Sequence, residues 1–148
     1  MPPQLEIRDA TPDDLPALAQ LLAQLGYPGS DSFLADRIRQ LRVHPDALLL
    51  VAHAGSKVLG FISLHFMPQI ALAGDFCRIA YLCVDEAARS LGVGALLEQR
   101  AVTEARARGC DRIELHSHAR RHDAHRFYAR QGYDESPKYL VKRLAGTP

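Results

Sequence analysis

Hydrophobic and polar positions along the chain follow two spacings, one typical of helices and one typical of strands. Helical spacing predicts helices at about 11–25, 32–43, 92–108 and 123–131, each bounded by a helix-capping or helix-ending residue. Between them lie short runs rich in β-branched and aromatic residues. These runs predict strands at about 5–8, 47–53, 58–67, 76–84, 112–117 and 133–144, the last of which holds one or two strands.

The order of the predicted elements is β-α-α-β-β-β-α-β-α-β. Helices and strands in this order build a mixed sheet covered by helices, which is an α/β (α+β) fold. A chain of 148 residues has room for one hydrophobic core. The sequence therefore predicts a single domain over 1–148, with about six or seven strands and about four helices.

Composition excludes several functional classes. The net charge of +1 gives no electrostatic reason to expect a nucleic-acid partner. No apolar run reaches the roughly 18 residues of a membrane helix, and the first residues do not resemble a signal peptide. Cys77, Cys83 and Cys110 show no metal or disulfide spacing. We therefore expect a cytoplasmic protein with reduced cysteines and no membrane partner.

The segment Arg89–Gly94 lies between a predicted strand and a predicted helix. A helix N-terminus has unpaired N–H groups and partial positive charge, which suit a pyrophosphate. Glycine lets phosphate oxygens approach the backbone, and arginine adds a cation with bidentate geometry. The segment lacks the residues of the ATPase and dinucleotide loops. The candidate phosphate loop comprises Arg89, Ser90, Leu91, Gly92, Val93 and Gly94.

A second pattern follows about thirty residues later, in the segment Ala124–Tyr133. The first pattern reads R-x-x-G-x-[GA] after a strand, and the second reads A-x-x-[FL]-Y-x-x-x-G-[FY] on the next helix. In this order and spacing they resemble the GNAT superfamily of N-acetyltransferases. The resemblance extends over nearly the whole chain, from Leu5 to about Leu144.

The resemblance implies acetyl-CoA as cosubstrate and a central strand that splays from its neighbour. The backbone of Cys83 and Val84 would then contact the pantetheine arm, and Arg89–Gly94 would bind the pyrophosphate. Tyr128 corresponds to the family tyrosine that points at the sulfur. The family often has asparagine where this chain has Arg121, so one pantetheine contact differs here.

Acetyl transfer from a thioester to an amine needs an oxyanion donor and a proton for the departing thiolate. We expect the Val84 N–H to stabilise the oxyanion. A thiol titrates near 8.5 and a phenol near 10, so Tyr128 can serve as the general acid. The alternative role for Tyr128 is packing beside Phe127.

Several groups are candidates for the general base. The position that holds glutamate in some family members corresponds to Arg78, which cannot accept a proton. His116 and His118 would share one face of their strand and could each take a proton near neutral pH. Asp85 and Glu114 are weaker candidates, and a water chain is another.

Two other functions compete with catalysis. His116, His118, His122 and His125 could together ligate a metal, but no E-x-x-H or cysteine pattern accompanies them, so no metal is expected. A non-catalytic module that senses acyl-CoA is the second alternative, and an intact Tyr128 favours the enzyme.

The predicted function is N-acetyl transfer, by direct attack, to a primary amine of a small molecule or peptide. In the resembled family the acceptor is set by the first two helices, the Pro68–Gly74 loop and the C-terminal strands. No specific acceptor follows from these residues. Family members often self-associate, so a homodimer is consistent with the resemblance.

Overall fold

The computed structural model describes residues 4–117, 121–135 and 139–144. They form two compact units, one ending at Leu115 and the other beginning at His116. The first contains five strands and three α-helices, and the second contains one α-helix. In chain order the elements are β1 (Leu5–Asp9), α1 (Leu15–Leu25), α2 (Leu34–Val43), β2 (Ala47–Ala54), β3 (Lys57–Met67), β4 (Phe76–Val84), α3 (Val93–Ala107), β5 (Arg112–Leu115) and α4 (His122–Arg130).

The five strands form one sheet in the order β1-β2-β3-β4-β5. The first four are antiparallel neighbours, and β5 joins β4 in parallel after the crossover through α3. Parallel pairing covers only the first part of β4: it begins where Phe76 pairs with Arg112 and ends where Ile79 pairs with Leu115. Over the described residues, the rest of β4 pairs with β3 alone. The strand pair therefore opens beyond Ile79, as the family resemblance implies.

The predicted mixed α/β fold is confirmed, but the described residues contain five strands rather than six or seven. β5 ends at Leu115, two residues earlier than predicted. The described part of the last predicted strand, 133–135 and 139–144, contains no strand. The apolar side chains within 139–144 are exposed, from 56% for Val141 to 89% for Leu144. Strand-forming residues build a strand only when a face is buried and a neighbour pairs with it, so pattern alone overestimated the count.

Helices cover both faces of the sheet. α1 and α2 pack on one face and enclose a hydrophobic cluster, while α3 packs on β3 and β4 through Val93, Leu97 and other buried positions. Within the described residues, no helix is both long and apolar enough to cross a membrane. The cluster under α1 and α2 comprises Ala10, Leu18, Leu21, Leu34, Ile38, Leu49, Val51, Phe61 and Cys83.

Gly60 on β3 allows α3 to approach the sheet closely. A Cβ at this position would lie 2.8 Å from the carbonyl oxygen of Cys83 and 3.0 Å from Cγ1 of Val93. The first distance is shorter than real Cβ contacts, and the oxygen belongs to backbone that cannot rotate away. Glycine here therefore lets the first turn of α3 pack beside the end of β4.

An ion pair connects β1 to the start of α1. Arg8 donates from Nη1 to Oδ2 of Asp14 at 2.7 Å and from Nη2 to Oδ1 at 2.8 Å. The Thr11 N–H also donates to Oδ2 of Asp14, at 2.8 Å. The hydrogen bonds from Arg8 lower the pKa of Asp14 against the opposing effect of burial. Asp14 is buried, so its charge is compensated almost entirely by these donors.

We predict that Asp14→Ala lowers the free energy of unfolding by about 2 kcal/mol, because a guanidinium and a helix-start N–H lose a charged acceptor. The pKa of Asp14 is lower in the folded state, so its stabilisation is present above pH 4 and is lost as the carboxylate protonates at lower pH. Urea unfolding at pH 7 and pH 3 measures both effects. Asp13→Ala is the matched control, since Asp13 is exposed. A gap between the variants that is as large at pH 3 as at pH 7 would contradict the ion-pair explanation.

Candidate active site

The open end of β4 presents backbone groups to the side away from β3. The Asp85 N–H donates to the carbonyl oxygen of Leu59 on β3 at 2.8 Å. Backbone groups of successive residues alternate in direction along an antiparallel strand. The N–H groups of Val84 and Leu82 therefore point away from β3, at a level where β5 does not pair with β4. These two groups are the available donors for an extended ligand lying along the strand.

Cys83 has the opposite orientation. It pairs with Phe61, so its backbone groups point toward β3. Its side chain is buried, and its thiol donates to the carbonyl oxygen of Leu21 on α1 at 3.2 Å. Of the two predicted pantetheine contacts, only Val84 directs its N–H to the open side. Leu82, which shares this direction, was not predicted, although strand alternation from Val84 could have identified it.

A β-bulge interrupts β4 just before these residues. Ser63 on β3 pairs with Tyr81, whereas Leu64 pairs with Ile79, so Ala80 is an extra residue. A bulge bends its strand and increases the local twist, and bulges are common next to active sites. The bulge lies where β4 leaves β5, so it helps to explain why the pair opens.

The chain between β4 and α3 is held at its first residues. Asp85 accepts a hydrogen bond from the Ala87 N–H at 3.0 Å and thereby caps a short 3₁₀ turn. Gln24, near the end of α1, accepts from the Glu86 N–H at 3.1 Å. Asp85, a weaker candidate for the base, is thus engaged in capping. These bonds fix the entry to the candidate phosphate loop.

The candidate phosphate loop leads into α3 as predicted. Gly92 has φ of 78°, in the left-handed region, and a Cβ added there would meet no protein atom within 4 Å. The first intrahelical bond runs from Leu96 N–H to Gly92 at 3.1 Å. The earlier N–H groups of the helix have no intrahelical acceptor, as at any helix start. Unpaired N–H groups at a helix start, preceded by a glycine with open space around its Cα, suit a phosphate.

The side chains of the loop divide into two groups. Arg89, Ser90 and Leu91 are exposed, with Leu91 at 57%. Val93 is fully buried, so only its backbone can reach a ligand. Gly94, in the first turn of α3, is half-buried. The arrangement therefore offers backbone N–H groups and the Arg89 cation to an anion.

In the second unit, Tyr128 lies on α4 and is half-buried. Its ring is 5.2 Å from that of Phe127 and 5.4 Å from that of Tyr133, both edge to face. The Tyr133 N–H donates to the carbonyl oxygen of Tyr128 at 3.0 Å. Two aromatic neighbours thus hold the Tyr128 ring, while a role for its hydroxyl stays a prediction.

The predicted histidines do not form one cluster among the described residues. His116 follows the end of β5, is exposed, and stacks on Tyr139 at 4.5 Å. His118 lies outside the described residues. The rings of His122 and His125 are 6.0 Å apart. In the described part of the chain, no three His, Cys, Asp or Glu residues are grouped so that they could hold a metal ion.

Arg121 and the cysteines complete the predicted positions. Arg121 is exposed, and its carbonyl oxygen accepts from the His125 N–H at 3.0 Å in the first turn of α4. Cys77, Cys83 and Cys110 are free thiols. Burial raises the pKa of Cys77 to about 12, so this thiol stays protonated and is not a nucleophile.

The open strand pair and the glycine turn at a helix start define an α/β fold in which a strand edge lies beside a helix N-terminus. A sequence model of the acetyltransferase (GNAT) family matches residues 15–133. Over 143 residues the chain is 32% identical to the aminoalkylphosphonate N-acetyltransferase of Salmonella typhimurium, covering 96% of this chain and 93% of that protein. The chain belongs to the GNAT family of acetyltransferases.

Solved structures share the fold. A protein from Bacillus halodurans described as a transcriptional regulator matches with a TM-score of 0.87 and 28% identity, over 95% of this chain and 100% of that one. The glucosamine-6-phosphate N-acetyltransferase of Arabidopsis thaliana matches with a TM-score of 0.83 at 20% identity, over 95% and 99% of the two chains. At this identity the second likeness concerns the fold alone.

We predict that Gly92→Val weakens acetyl-CoA binding at least about tenfold, because a branched side chain would occupy the space next to the first N–H groups of α3. The positive φ adds a strain of about 1–2 kcal/mol. Gly109→Val is the matched control: Gly109 follows the other end of α3, has φ of 70°, and has similarly open space. Calorimetric titration and melting temperatures test this. Equal binding by the two variants would mean that the loop does not contact the cosubstrate.

Proposed function

We propose that this protein transfers the acetyl group of acetyl-CoA directly to the primary amine of a small molecule. One observation carries the proposal: α3 begins directly after Gly92, beside the end of β4. Among the described residues, this end of β4 has no parallel neighbour. This arrangement combines anion-binding N–H groups with a free strand edge. The family match runs from residue 15 to residue 133 and so includes residues of both units, which supports a single acetyltransferase domain over 1–148.

Acetyl-CoA supplies an activated thioester carbonyl, and the residues of the first unit bind and orient it. The first N–H groups of α3 and the guanidinium of Arg89 bind the pyrophosphate. The N–H groups of Leu82 and Val84 donate to the pantetheine arm and to the thioester oxygen. Val84 remains the predicted oxyanion donor, and Leu82 is the second donor of the same orientation.

Tyr128 is the proposed general acid. Its phenol protonates the thiolate as the carbon–sulfur bond breaks, so that CoA leaves as a neutral thiol. The pKa values of phenols and thiols are close enough for this transfer to cost little. The aromatic contacts with Phe127 and Tyr133 support the assignment, since an acid must be held in one orientation to act.

The acceptor that we propose to test first is an aminoalkylphosphonate. The Salmonella relative carries this substrate class in its name, and the two sequences align over almost their full lengths. Such a molecule combines a primary amine, which can attack the thioester, with an acidic group that a protein can use for orientation.

We predict that the purified protein releases CoA thiol from acetyl-CoA when aminoethylphosphonate is added, and that acetyl-CoA alone raises its melting temperature by mass action. A thiol reagent and mass spectrometry of the acetylated amine measure the reaction. Gly92→Val provides the control with an impaired phosphate loop. A protein that binds acetyl-CoA but acetylates no amine in a broad screen would instead be an acyl-CoA sensor.

We predict that Tyr128→Phe lowers kcat at least about tenfold on the preferred amine, because the proton donor is lost while water replaces it in part. The ring remains, so the melting temperature and acetyl-CoA affinity should change little. Tyr133→Phe is the matched control, because it removes a hydroxyl from the neighbouring ring at a motif position that accepts phenylalanine. An unchanged kcat in Tyr128→Phe would exclude the acid role.

A further inference from the structure

A row of polar residues crosses the sheet on the face that α1 and α2 partly cover. Phe61 on β3 belongs to the hydrophobic cluster under these helices. Side chains on a strand alternate, so His65, four residues later, lies on the same face. His65 pairs with Arg78 on β4, and Arg78 pairs with Glu114 on β5. We call His65, Arg78 and Glu114 the Arg78 row.

The Arg78 row lies just below the opening between β4 and β5. The Arg78–Glu114 pair is followed by one last pair, Ile79–Leu115, before β5 ends. Arg78 precedes the bulge residue Ala80 by two positions and Leu82 by four. Four extended residues span about 13 Å, about twice the length of an extended arginine side chain, so the acceptor molecule itself would span the rest. Arg78 can therefore reach toward a molecule that reacts beside Leu82.

The row holds one permanent cation, Arg78, and it lies beside the carboxylate of Glu114. Burial, followed by the charges of His44 and Arg78, lowers the pKa of His65, so His65 is neutral at pH 7. The same effect places the Arg78 charge close to His65. All three side chains of the row are half-buried, so their charges are less screened than at a free surface. Arginine keeps its proton at any physiological pH and cannot serve as a base.

We propose that Arg78 binds the acidic group of the acceptor, and that the protein therefore prefers small amines that carry a phosphonate. This inference rests on the proposed function. The planar guanidinium forms two parallel hydrogen bonds to an oxyanion, which fixes orientation as well as position. The anion then lies at the Arg78 row, and the amine extends along β4 toward the open end of the strand.

A second effect of the same charge favours the reaction. Amines attack only in the neutral form, and a nearby cation disfavours ammonium. By pairing with the phosphonate, Arg78 offsets the negative charge that would otherwise hold the amine of the same molecule in the ammonium form, so this effect applies to acidic acceptors and not to aminopropanol. Where a glutamate would remove a proton, the arginine shifts the equilibrium toward the reactive form.

The test compares two acceptors, aminoethylphosphonate and aminopropanol, which lacks the acidic group, in the intact protein and in Arg78→Gln and Arg78→Lys. We expect Arg78→Gln to lower kcat/KM for aminoethylphosphonate at least about thirtyfold, mainly by raising KM. The same substitution should change kcat/KM for aminopropanol less than about threefold. Arg78→Lys should restore part of the lost kcat/KM, because lysine keeps the positive charge but cannot form the two parallel hydrogen bonds of a guanidinium. Arg42→Gln, which removes an exposed arginine of α2, should change neither acceptor.

Acetyl-CoA affinity and melting temperature are measured for every variant, so that a folding defect is recognised. Equal losses for both acceptors in Arg78→Gln, or no loss for either, would overturn the assignment. Should the intact protein acetylate no amine, the proposed function fails, and calorimetry with aminoethylphosphonate then tests Arg78 alone. Binding to the intact protein that is lost in Arg78→Gln supports the assignment. Binding that is absent, or equal in both, overturns it.

Discussion

The approach of α3 to the sheet at Gly60 is the packing constraint on which the candidate site depends. A Cβ at Gly60 would collide with the backbone of Cys83 and press on Val93, and both belong to the site's own elements. With glycine there, the first turn of α3 packs beside the last residues of β4. The N-terminal end of the helix and the edge of β4 that is unpaired among the described residues therefore lie side by side, an arrangement that suits an elongated ligand with a phosphate at one end.

β4 provides different functional groups in different directions. Along its free edge, the backbone N–H groups of Leu82 and Val84 are available for hydrogen bonding. On the face under α1 and α2, the side chain of Cys83 closes the core, while that of Arg78 adds a fixed charge. The bulge at Ala80 separates these two parts of the strand. One strand can therefore orient a cosubstrate through its backbone and a second molecule through a side chain.

Some features follow from local sequence, and the structure agrees with them. Gly92 was predicted to begin the helix that follows β4, and it is the residue before Val93, with the positive φ that glycine tolerates. Leu82 was not predicted, although it shares the backbone direction of Val84 by strand alternation; that Cys83 instead faces β3 depends on which neighbour pairs with the strand. The strand predicted at the C-terminal end was wrong for its described residues, because exposed apolar side chains such as Leu144 have no partner strand there.

The sequence by itself determined the class of the fold, the four helices, the glycine turn before α3 and the two family motifs. These depend on the spacing of apolar residues and on local backbone preferences, which act over a few neighbouring positions. Only the tertiary structure decided that β5 stops pairing at Leu115, that Cys83 turns into the core, and that His65, Arg78 and Glu114 form one row. Each of these depends on register between strands distant in sequence, and register is set by how whole faces pack.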